Sequence, residues 1–122
     1  MKYQSITPIE SECCQVPKEW GHELIIVNND LYCGKILFFK AGFKFSMHYH
    51  IQKQETWYVN KGNFKFRYIR TDTTEIIERD MKQGDSVTIP IGMPHQLEAL
   101  CDGEIFEIST QHFDSDSYRV WR

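Results

Sequence analysis

Nowhere in the 122 residues is there an apolar run close to the roughly 20 needed to span a bilayer. The opening stretch "MKYQSITPIE" lacks the apolar segment of a secretory leader. Sustained helical periodicity is missing too, and helical turns are expected only near Ile9–Cys14 and in the tail. Charge of neither sign is in large excess, and the net of -3 gives no general attraction to nucleic acid or anionic membrane. Cysteines number four, but Cys13 and Cys14 are adjacent and no C-x-x-C pair occurs, so a cysteine zinc knuckle is excluded. The expectation is reduced, half-buried packing thiols in a cytosolic protein.

What the chain does have is β character. Aromatic residues make up 14% of it, which suits sheets better than helices. Turn signals come at short intervals ("NND" at 28–30, "NKGN" at 60–63, "KQGD" at 82–85, "CDGE" at 101–104). Between them stand short β-branched and aromatic runs such as "ELIIV", "KILFF", "FKFRYI" and "EIFEIS". That spacing predicts an all-β sandwich or barrel, one domain over residues 1–122. The tail "HFDSDSYRVWR" carries three aromatics and is expected to pack back onto the barrel.

One stretch, "FSMHYHIQKQETW" at 45–57, asks for chemistry. Residues two apart in a strand share a face, so His48 and His50 project together, Cα atoms about 7 Å apart. Glu55 has the wrong parity for that face on a continuous strand. The polar "IQKQ" is expected to break the strand and let the chain re-enter with Glu55, Trp57 and Val59 turned inward. Downstream, prolines 90 and 94 in "PIGMP" fix a corner just before His95. Three imidazoles and one carboxylate would suit a divalent metal with open positions.

The spacing Gly42-x5-His48-x-His50-x4-Glu55-x6-Gly62 resembles the first motif of the cupins. Gly84-x5-Pro90-x-Gly92-x2-His95 resembles the second, with Ala99 where the family's asparagine usually falls. Together they cover residues 42–99. The resemblance implies a double-stranded β-helix, a small jelly-roll barrel. It also implies one divalent metal ion (Zn, Mn, Fe or Ni) on His48, His50, Glu55 and His95. "KEWGHE" (18–23), Glu55-x-Trp57 and Asp116-x-x-Arg119 are similar to the cupin part of bifunctional phosphomannose isomerases. That likeness implies a sugar or sugar phosphate as substrate and aldose–ketose isomerisation.

Such chemistry needs a base that is not a ligand. The candidates are Glu107, then Glu98, placed on the strand face opposite His95, and His112, expected at the surface. Lys44 shares the parity of His48 and His50 and is expected to lean into the same cavity, holding a phosphate. Arg67 and Arg119 are further cations; Lys53 is expected in solvent. Trp57 is expected as a pocket wall and His22 at the surface. An iron-dependent dioxygenase and a non-enzymatic, metal-stabilised sugar-binding module remain alternatives. A homodimer is expected from open sheet edges.

Overall fold

The structure, a computed structural model, describes residues 5–122. Eleven strands build it: β1 (Cys14–Lys18), β2 (Gly21–Asn28), β3 (Cys33–Phe39), β4 (Met47–Tyr49), β5 (Glu55–Lys61), β6 (Asn63–Ile69), β7 (Ile76–Lys82), β8 (Ser86–Ile89), β9 (His95–Ala99), β10 (Gly103–Ser109) and β11 (Tyr118–Trp121). They form two antiparallel sheets, ordered β1-β2-β3-β10-β5-β8 and β11-β4-β9-β6-β7. From β4 onward each strand lies in the opposite sheet from its predecessor, except for the β6–β7 hairpin. That crossing pattern is the jelly roll expected from the sequence. No helix among the described residues is long and apolar enough to cross a membrane.

Alternation decides what faces inward. In β3 the buried positions are Cys33, Lys35, Leu37 and Phe39; in β5 they are Glu55, Trp57 and Val59. In β10 they are Gly103, Ile105, Glu107 and Ser109. Each of these faces is polar at one end and apolar at the other. Register brings the like ends together, since Glu107 lies opposite Lys35 and Ser109 opposite Glu55. The apolar end is a dry aromatic core, with Phe39 and Phe64 edge-to-face at 5.2 Å. The polar end is the mouth of the barrel.

The β1–β2 turn closes tightly. Trp20 stacks on Phe39 with centroids 4.4 Å apart. Gly21 takes φ +150°, and a Cβ there would sit 1.8 Å from the Phe38 carbonyl oxygen. Only glycine fits this approach.

The termini differ from the expected helical turns. Residues 5–13 form neither helix nor strand, and Cys14 opens β1. A six-residue helix has too few hydrogen bonds to offset its nucleation cost, whereas the β2 edge offers ready backbone partners. The tail does pack back, but as β11 against β4. Cys13 and Cys14 are exposed rather than half-buried, because the edge strand covers little; Cys33 is buried.

Candidate metal centre

His48 in β4 and His95 in β9 are cross-strand partners, so their side chains share a face. His50 follows just beyond β4. Each imidazole meets a backbone carbonyl through Nδ1: His48 that of Ser46 at 2.7 Å, His95 that of Met93 at 2.9 Å, and His50 that of Asp116. A carbonyl can only accept, so Nδ1 carries the proton in all three rings and Nε2 keeps its lone pair. The ligand nitrogens of the three histidines lie within 4.8 Å of one another. The "PIGMP" loop contributes twice. Met93 orients His95, and the Gly92 amide, at φ +86°, donates to the His50 carbonyl at 2.8 Å.

The chain does break after Tyr49, and β5 restarts at Glu55 with its carboxylate inward. Glu55 Oε2 is 3.5 Å from His50 Nε2, and Oε1 is 3.6 Å from His95 Nε2. Trp57 is fully buried and donates Nε1–H to Glu55 Oε1 at 2.8 Å. It therefore orients the carboxylate instead of forming the expected pocket wall. His95 Nε2 is buried with no hydrogen-bond partner, and buried Glu55 Oε2 meets the Lys53 ammonium as an ion pair at 3.2 Å. Three converging lone pairs, that of His95 on a buried atom with no partner, are what a divalent cation would complete, so the imidazoles fit one; Glu55 lies beside them with its oxygens on Trp57 and Lys53.

Burial sets the protonation. It lowers the pKa of all three imidazoles, His50 to about 4 with help from the Lys53 charge, and keeps them neutral. Burial and then the Glu107 charge push Glu55 up to about 7.

Lys53 was expected in solvent and is 4% exposed. Its ammonium is 3.2 Å from both Glu55 Oε2 and Glu107 Oε2, and 3.2 Å from His112 Nδ1. The loop turns it inward because two buried carboxylates need a counter-charge. Burial opposes the ammonium, but Glu107 and Glu55 outweigh that and raise its pKa. Burial likewise favours neutral Glu107, yet Lys53 and Lys35 hold its pKa down to about 2.

The mouth encloses about 700 Å³. Six cationic side chains line it against five carboxylates, a local excess in a chain of net charge -3. Lys18, Lys44, Arg119 and Arg122 have no carboxylate within ion-pair distance among the described residues. Arg119 lies directly opposite His48 in the β4–β11 ladder.

Residues 36–108 match the cupin-domain family model. The chain belongs to the cupin family. No curated protein is similar enough in sequence to match it. Among solved structures, this cupin resembles the capsular polysaccharide assembling protein CapF from Staphylococcus aureus, at 23% identity and TM-score 0.77 over 93% of this chain and 34% of that one. It also resembles oxalate decarboxylase from Bacillus subtilis, at 15% identity and TM-score 0.84 over 97% of this chain and 33% of that one. The cupin thus spans about a third of those chains, and at these identities the likeness is one of fold.

The remaining candidates separate cleanly. Glu107 points into the mouth, locked to Lys53. Lys44 reaches the mouth from an exposed rim position, in an isolated bridge with Glu98. Glu98 leaves the site, as its parity requires, and pairs with Arg67 at 2.8 Å. His112 is half-buried rather than at the surface, held between Lys53 and Asp114. His22 stacks on Phe38, away from the mouth. Lys35, 4% exposed and 3.5 Å from Glu23, was overlooked, although Cys33-Lys35-Leu37-Phe39 is a plain alternation.

Proposed function

We propose that this cupin binds one divalent metal through His48, His50, His95 and Glu55 and acts on a sugar phosphate as an aldose–ketose isomerase. The observation that carries the reading is the trio of imidazoles, each turned by a backbone carbonyl so that its Nε2 lone pair faces the others. A bound cation would supply Lewis acidity, polarising a carbonyl and acidifying the hydrogen beside it. Oxalate decarboxylase, of the same fold, has Mn(II) centres, and manganese is one metal compatible with this donor set. Arg119 and Lys44, cations without carboxylate partners on the rim, would hold the phosphate. Glu107 would take the proton: it is ionised across the neutral range and faces the cavity. A homodimer and a cytoplasmic location belong to the same reading.

One observation favours a second reading, a sugar-binding module without turnover. Glu107 is held so strongly by Lys53 that it is a weak base. Three measurements test the readings. Elemental analysis should find about one divalent metal per chain, lost in a folded His48→Ala protein; no metal in either would sink both. Incubation with aldose phosphates in D2O should then show deuterium at C1 of the ketose formed and at C2 of the recovered aldose. Arg119→Ala should weaken sugar-phosphate binding about 10-fold or more and leave neutral sugar unaffected, the usual scale for a charge-assisted contact. Metal without exchange would select the binding module, and iron would redirect the search to oxygen chemistry.

A further inference from the structure

We infer that Asp116 is a positioning residue for the metal centre, acting from the C-terminal tail through His50 and the loop between β4 and β5. The inference rests on the metal reading of the site. Asp116 is 2% exposed, and its carboxylate accepts three consecutive backbone amides. Ile51 donates to Oδ1 at 2.8 Å, Gln52 to both oxygens at 3.1 Å, and Lys53 to Oδ2 at 3.0 Å. Those residues are the break between β4 and β5, where parity must change for Glu55 to join the histidines.

The same residue also acts through its backbone. The Asp116 carbonyl accepts Nδ1–H of His50, which fixes the tautomer and aims Nε2. Its own amide closes a turn onto Phe113 at 2.9 Å. Immediately afterwards β11 pairs with β4, placing Tyr118 opposite Tyr49 and Arg119 opposite His48. By contrast, β4 meets β9 only at His48 and His95. The three-residue strand carrying His48 therefore takes most of its ladder from the tail. One aspartate closes the tail onto the loop, holds the loop that turns Glu55 and Lys53 inward, and orients His50.

Cobalt(II) titration of the whole chain, followed by its visible absorption, tests this. Asp116→Ala frees the loop and lets the 116 carbonyl drift from His50. Cobalt affinity should fall about 10- to 100-fold, the range for groups that orient metal ligands, and the visible bands should shift. Asp116→Asn, which keeps one side-chain acceptor oxygen, should fall between Ala and wild type. An exposed control, Asp72→Ala, should match wild type. A latch that only stabilised the tail would lower the melting temperature and leave affinity and spectrum alone. Unchanged cobalt binding in both Asp116 variants would overturn the inference while the metal reading stood; wild type binding no cobalt would overturn both. Should the alanine variant fail to fold, the asparagine variant decides.

Discussion

Lys53 shows how one residue can govern a site without being among its ligands. Its ammonium lies against two almost wholly buried carboxyl groups, Glu55 and Glu107, of which Glu107 is ionised throughout the neutral range. Lys53→Met should therefore cost about 3–5 kcal/mol in urea unfolding, the penalty for leaving buried charge unpaired. Adding Glu107→Gln should recover part of that loss. If the two changes were instead additive, the three groups would not be coupled. The sequence hides this role. "IQKQ" reads as a polar surface loop, and nothing local says that Asp116, 63 residues later, will turn it inward. The placement of the candidate ligand residues was more legible because period two and a broken strand are local patterns. His48, His50 and Glu55 stand as that pattern requires, and His95 follows from a proline corner. Trp57 was legible in its face but not in its role, since the Glu55 contact depends on a rotamer.

At the level of elements, the β1–β2 turn is the least forgiving piece. Gly21→Ala would drive a methyl into the Phe38 carbonyl and require a backbone conformation that L-residues avoid. The change should cost several kcal/mol or prevent folding, and expression followed by thermal unfolding would show it. Wild-type melting would mean that the turn can open without disturbing Trp20 on Phe39. Strand identity was readable wherever alternation met turn residues, as in "KILFF" and "FKFRYI". It failed at Ile9–Cys14, where there is no period to read and only the partner strand settles the conformation. The tail's sheet membership was equally invisible, because pairing with β4 is a non-local choice.

Over the whole molecule, protonation makes a prediction of definite sign. Four histidines (His48, His50, His95 and His112) have pKa values below the ordinary 6.5, so the unfolded chain takes up protons that the native one refuses. Glu55 opposes them: raised to about 7, it stays protonated in the native protein while the unfolded carboxyl ionises near 4.5. Four groups outweigh one. Stability of the metal-free protein should rise with pH from about 4 to 6.5, and urea midpoints across that window check it. A flat profile would mean that the imidazoles are more solvated than their burial implies. Below about 4.5 a further loss should set in as Glu107, depressed to about 2, begins to hold fewer protons than its unfolded counterpart.

The split inward faces of β3, β5 and β10 carry a last implication. The polar mouth and the apolar core occupy opposite halves of the same strands, two residues apart at the boundary where Lys35 gives way to Leu37 and Glu55 to Trp57. A lineage exploring new ligands can therefore rewrite one rim of the barrel, letter by letter, while the other rim keeps the backbone where it was. The cost of trying a new chemistry is then set by the charges buried at the mouth, as at Lys53, and not by the apolar packing of the other half.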